Sequence, residues 1–180
     1  MILNGSPRAQ GNTAALVAAF TEGTESAGHT VSRFDLGTMD IHGCQGCYGG
    51  GKAPDYPCAQ RDDMDQIYPA YMAADVVVLA SPIYYGSITG QLKCALDRLF
   101  AVAELGPNYA SPTKNAVLLM AAKGSTEENF APVRTYYEFL QHHMGWKNTG
   151  IVYAGDNFSI GDIQRKPEQL EAARKLGAAI

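Results

Sequence analysis

Gly5-Ser6-Pro7-Arg8-Ala9-Gln10-Gly11-Asn12-Thr13 follows the short apolar run Met1-Ile2-Leu3 and precedes a strong helix-forming segment, Thr13 to about Ala27. This reads as a strand–loop–helix turn, rich in small and hydroxyl residues and holding one fixed cation. The unpaired N–H groups that open a helix carry roughly half a positive charge and suit a phosphate. Ser6, Asn12 and Thr13 offer side-chain hydrogen bonds, and Arg8 a charge-assisted one. The spacing is neither of the two familiar phosphate loops. Five residues separate Gly5 from Gly11, Asn12 stands where a Walker lysine would be, and no G-x-G-x-x-G occurs. The plainer reading is a strand–helix turn with Asn12 or Thr13 as N-cap.

Working outward, the helix after this loop puts Leu16, Phe20, Gly23 and Ala27 near one stripe, the spacing of a helix lying on a sheet. Gly28 ends it. Thr30 to Leu36 reads as a second strand. Asp75-Val76-Val77-Val78-Leu79-Ala80 is a continuous apolar run of the kind buried on both faces of a parallel sheet. It runs into Ser81-Pro82-Ile83-Tyr84-Tyr85-Gly86-Ser87, a loop with two exposed aromatics. A helix over Ile88 to Ala103 follows, with Cys94 off its apolar stripe, facing solvent or a subunit contact. Ala116 to Ala122 reads as another buried strand, ending in Lys123-Gly124-Ser125. Helix Asn129 to Met144 is introduced by Glu127-Glu128, and His142 and His143 complement its dipole. Trp146 to Ala154 is the last strand. The loop Gly155 to Asp162 then leads to a helix from Pro167 onward.

The chain has 180 residues, is 46% hydrophobic and carries a net charge of −4. That length fits one domain over residues 1–180. No Lys/Arg cluster points to nucleic acid, and no apolar run approaches the ~18 residues of a membrane span. No signal-peptide pattern is visible, so a cytoplasmic, reducing setting is expected, with thiols rather than disulfides. The first strand has three residues before the loop where strands usually run about five or six, so the native start is expected a few residues upstream.

Alternation of strand and helix with buried strands predicts an α/β fold: a flavodoxin-like three-layer sandwich with a five-stranded parallel sheet, order 2-1-3-4-5, and helices on both faces. In that order the loops after the first and third strands flank one crevice. A phosphate site beside aromatic surface suits FMN.

Gly37 to Asp63 is the irregular part. It holds Cys44, Cys47 and Cys58, the run Gly49-Gly50-Gly51 and two prolines. A loop this long inside a compact domain is usually functional. Cys44-x-x-Cys47 is half of a metal or cluster site; Cys58 makes a third ligand and His42 could make a fourth. The alternative is free thiols on a loop beside the substrate.

Gly5-Ser6-Pro7-Arg8 with Gly11-Asn12-Thr13, then Ser81 to Ser87 followed by Gln91-Leu92-Lys93 and Asp97-Arg98, resembles the NAD(P)H-dependent FMN reductase family, and within it the iron–sulfur flavoprotein-like branch. The resemblance covers nearly the whole chain. It implies that Ser6, Arg8, Asn12 and Thr13 hold the FMN phosphate. Pro82, Ile83, Tyr84, Tyr85, Gly86 and Ser87 would line the ring and ribityl chain, with Lys123 and Gly124 closing the remaining side. It also implies NAD(P)H as co-substrate, a small planar electron acceptor (quinone, nitro- or azo-aromatic, or free flavin) and assembly as a homodimer or homotetramer. The compact four-cysteine motif of the iron–sulfur branch is incomplete here, with Gly50 at the third position, so no bound metal is expected. The competing functions are a flavodoxin-like electron carrier, with or without an iron–sulfur cluster on the cysteine loop, and a redox sensor acting through Cys44 and Cys47.

Overall fold

The computed structural model describes residues 1–51 and 53–180. Five strands form one parallel sheet in the order β2-β1-β3-β4-β5, as expected from the alternation. They are β1 (Ile2–Asn4), β2 (Arg33–Asp35), β3 (Val76–Pro82), β4 (Asn115–Ala121) and β5 (Lys147–Ala154). The helices are α1 (Asn12–Ser26), α2 (Met64–Ala73), α3 (Gly90–Arg98), α4 (Phe100–Ala103), α5 (Glu127–Met144) and α6 (Pro167–Ala178). Among the described residues no helix is long and apolar enough to cross a membrane.

Strand residues alternate between two apolar cores, one per face. Leu3, Val77, Leu79, Leu118 and Met120 pack with Met64, Ile67 and Tyr71 of α2, Leu92 of α3 and Phe130 of α5. Ile2, Val78, Ala80, Val117 and Leu119 point the other way, onto Leu16, Val17 and Phe20 of α1 and Ala173 of α6. Helices α1 and α6 approach closely through two glycines. A Cβ on Gly23 would lie 2.0 Å from the Arg174 carbonyl oxygen, and one on Gly177 would lie 2.2 Å from that of Phe20. Gly23 thus belongs to the stripe because the neighbouring helix backbone occupies the space a side chain would need. Ala27, placed on that stripe from sequence, is instead the exposed C-cap, followed by Gly28 with φ +90°.

Several boundaries differ from the sequence reading. The second strand is three residues rather than Thr30 to Leu36; it is a sheet edge and none of its residues is fully buried, so little apolar pattern marks it. The helix expected over Ile88 to Ala103 divides at Leu99 into α3 and α4. Thr89 caps α3, its hydroxyl accepting from Leu92 N–H at 3.4 Å and donating to the Gly5 carbonyl at 2.7 Å, which joins the third-strand loop to the first. Glu127 and Glu128 form the first turn of α5 rather than preceding it, with Thr126 as N-cap. Cys94 is half-buried, and a side chain at Gly43 would touch its sulfur, so it faces the cysteine loop rather than open solvent.

Candidate functional site

The loops that leave β1, β3, β4 and β5 meet at the carboxyl edge of the sheet and enclose a cleft of about 260 Å³. Ligands of open α/β sheets bind at this edge, where the strand order reverses. Of the residues expected at the site, Ser6, Arg8, Asn12, Thr13, Pro82, Ile83, Tyr84 and Lys123 line this one cleft.

The phosphate-loop side is set by the start of α1. Gly11 is the N-cap, one residue before the positions expected from sequence, and no side chain caps the helix. The N–H groups of Asn12, Thr13 and Ala14 have no protein acceptor among the described residues, since the first helical bond is Ala15 N–H to the Gly11 carbonyl at 3.1 Å. No acidic residue sits in the first turn to neutralise the dipole. The Thr13 hydroxyl has no protein partner among the described residues, while Arg8 is exposed at the rim. The resulting set of helix N–H donors, one hydroxyl and one guanidinium matches what a phosphate dianion requires.

Two of the expected phosphate ligands have other partners. The Ser6 hydroxyl accepts from Arg8 N–H and donates to the Arg8 carbonyl, both at 3.2 Å, and so shapes the turn. The Asn12 side chain donates to the Ser159 carbonyl at 2.9 Å and accepts from Ile163 N–H at 3.2 Å. It ties the loop after β5 to the start of α1 across the sheet edge. Only the backbone N–H of Asn12 faces the helix opening unpaired.

The opposite wall is a tight turn. Tyr84 and Ser87 exchange backbone bonds, N–H to carbonyl at 2.9 and 3.1 Å, around Tyr85 at φ +50° and Gly86 at φ +76°. Positive φ at both central residues is the pattern of a type I′ turn, which Gly tolerates and tyrosine adopts at a cost. Tyr84 lines the cleft, whereas Tyr85 is thrown fully into solvent at 109% exposure. Tyr85, Gly86 and Ser87 lie beyond the lining, and a Cβ on Gly86 would touch the Pro132 ring of α5. Gly124 is turned away. A Cβ there would lie 2.3 Å from the Asn129 side chain, so its place is against the start of α5 rather than in the cleft.

The third wall, Asn157 and Phe158, carries no expected site residue. Phe158 is 68% exposed, and Lys123 Nζ stands 5.0 Å from its ring centroid, a cation–π contact across the cleft mouth. Asn157 is fixed by its N–H to the Ala122 carbonyl at 2.9 Å and by its side-chain amide to Gly155 and Gln169. The Asp162 carboxylate accepts from Ser159 and Phe158 N–H at 2.7 and 2.9 Å, which holds its carboxyl below the usual range. The available signal was a fourth strand-to-loop exit on the same edge, with an aromatic at its middle. Among the described lining residues there is no carboxylate and no histidine; the titratable side chains at the cleft are Arg8, Tyr84 and Lys123.

The cysteines stand elsewhere. Cys44, Cys47 and Cys58 line a separate cavity of about 290 Å³ against Asp97, Arg98 and Glu104 of the α3–α4 region, and none of them lines the cleft. Among the described residues no three His, Cys, Asp or Glu side chains are grouped closely enough to hold an ion.

Comparison with known proteins gives concordant results. The family described as NADPH-dependent FMN reductase matches residues 1–158. An iron–sulfur flavoprotein of Archaeoglobus fulgidus is 31% identical over 178 residues, covering 98% of this chain and 76% of that protein. Among solved structures, an NAD(P)H:quinone oxidoreductase from Methanothermobacter marburgensis superposes with a TM-score of 0.76 at 22% identity, covering 98% of this chain and 92% of that one. An FMN-dependent NADH-azoreductase from Bacillus anthracis, solved with FMN, gives 0.69 at 13% identity over 98% of each chain. At these identities the two structures establish the flavodoxin-like fold.

Proposed function

The chain belongs to the NADPH-dependent FMN reductase family, and from that premise we propose that residues 1–180 form one FMN-binding domain that passes electrons from NAD(P)H to a small planar acceptor. It is an FMN-dependent oxidoreductase. FMN held in this cleft would supply the hydride and electron chemistry between nicotinamide and acceptor.

The protein's own part is binding, orientation and exclusion of water. The N–H groups of Asn12, Thr13 and Ala14, the Thr13 hydroxyl and Arg8 hold the phosphate. Ser6 shapes the turn that carries Arg8, and the Asn12 side chain holds the loop that carries Phe158. Pro82, Ile83 and Tyr84 form one wall for the ring, and Phe158, with Lys123 over its ring, forms another. The observation that carries the reading is that the unpaired start of α1 opens into the same cleft as Tyr84 and Phe158. Aromatic surface on both sides favours flat acceptors such as quinones, nitro- or azo-aromatics, or free flavin. The same reading includes assembly as a homodimer or homotetramer, as the family resemblance implies.

Steady-state oxidation of NADH and NADPH by the FMN-loaded protein, with one acceptor of each class, tests the proposal. Sustained turnover with at least one planar acceptor is expected. Reduction of the bound cofactor without turnover on any of them would instead define an electron carrier.

A further inference from the structure

Several relatives carry the name iron–sulfur flavoprotein, which raises the question whether the cysteine loop of this chain suits a cluster. The donor set does not fit. Clusters are held by four thiolates, in compact form as C-x₂-C-x₂-C followed by a fourth cysteine. Counting from Cys44 and Cys47, the third position is Gly50. A Cβ on Gly50 would lie 2.2 Å from Glu104 Oε2, 2.8 Å from the Pro57 carbonyl oxygen and 3.2 Å from Ala101 Cβ. The space a third thiolate would occupy is filled by the α4 end and by the loop's own backbone.

The two ends of the loop are instead fastened by protein groups. Arg98 is 1% exposed, and its guanidinium reaches under the loop. It donates to the His42 carbonyl at 3.0 Å, to the Gln60 carbonyl at 3.3 Å, and to both Asp62 carboxylate oxygens at 2.6 and 3.1 Å. Asp62 in turn accepts from His42 N–H at 3.1 Å and Met64 N–H at 3.0 Å. Asp40 and Asp63 close the neck, N–H to carboxylate at 2.7 Å and N–H to carbonyl at 3.0 Å. Gln60 reaches the Gly43 carbonyl at 3.1 Å, and Gly51 N–H the Pro57 carbonyl at 2.8 Å. Each end is therefore held by hydrogen bonds that need no metal. Cys44 and Cys47 are left exposed at the tip, with Cys58 half-buried beneath.

We propose that this chain's cysteine loop is a clasped loop rather than a cluster-binding one, held at its neck by Arg98 and Asp62, with Cys44 and Cys47 as free surface thiols. The experiment uses the full chain purified without oxygen. Iron, sulfide and zinc should each be far below one per chain. A chromogenic disulfide should modify the two exposed thiols of the native protein quickly, at the same rate with or without chelator. Proteolysis within the loop should also be insensitive to chelator in the wild-type protein. It should quicken by at least about tenfold in Arg98→Met, as when a local opening equilibrium shifts by ~1.4 kcal/mol. About one metal site per chain, lost in Cys44→Ser, would overturn the proposal. So would thiols that react only after chelation, or a loop that chelator alone opens. The wild-type arms decide the question even if Arg98→Met fails to fold.

Discussion

Replacing Asn12 separates two roles for one side chain. If the Asn12 amide is the tie between α1 and the loop after β5, Asn12→Ala removes two hydrogen bonds, at 2.9 Å to the Ser159 carbonyl and 3.2 Å from Ile163 N–H. Each is worth about 0.5–1.5 kcal/mol. Ile163 is fully buried, so its N–H loses its partner where water does not readily replace it. The expected loss is about 2 kcal/mol, or roughly 4–8 °C in Tm for a chain of this size. The loop freed by the change carries Asn157 and Phe158, a wall for the ring rather than for the phosphate. FMN and riboflavin should therefore weaken by the same factor. Thermal unfolding followed by circular dichroism gives the first number, and paired fluorescence titrations with the two ligands give the second. An unchanged Tm, or a loss confined to FMN, would refute the tie and return Asn12 to the phosphate.

Arg8→Ala should do the reverse, leaving Tm alone and weakening FMN by about ten- to hundredfold, the equivalent of one charge-assisted bond of ~1.5–3 kcal/mol; riboflavin affinity should not change. Gly23→Ala should destabilise by about 1–3 kcal/mol in denaturant unfolding, because its methyl group meets the Arg174 carbonyl of α6. The Asp62 carboxyl, which burial alone would raise, is held below its ordinary value by the Arg98 hydrogen bond and the His42 and Met64 N–H groups. Its contribution is complete above the unfolded value near ~4 and lost as pH falls through the lower folded value. Asp62→Asn should therefore be less stable than wild type at pH 7, the two curves converging in acid; a constant gap down to the acid transition would count against the clasp.

What the sequence makes legible follows from how local each signal is. The strands β3 and β4 and the turn Ser81 to Ser87 are continuous in the chain, and their apolar runs and turn residues mark them directly. The edge strand β2 is three residues long with none fully buried, so periodicity has little to act on. The positive φ of Tyr85 is not encoded by tyrosine, which disfavours it; the paired bonds between Tyr84 and Ser87 impose it. Asn12 looks like a phosphate ligand by type and position. Its actual partners lie 147 and 151 residues away, a separation that spacing rules do not reach. Phe158 is hidden for the same reason, since its role depends on Lys123 from another strand exit. Arg98, at the end of α3, serves the neck of a loop 36 to 56 residues earlier.

The central claim is that the unpaired start of α1 and Arg8 hold the phosphate of FMN in the cleft between Tyr84 and Phe158. Dissociation constants for FMN and riboflavin, measured side by side on the wild-type protein, test it most directly. The Arg8 bond and the helix N–H groups together predict FMN tighter by at least about a hundredfold, from two or more charge-assisted bonds. Equal affinity for the two ligands would contradict it.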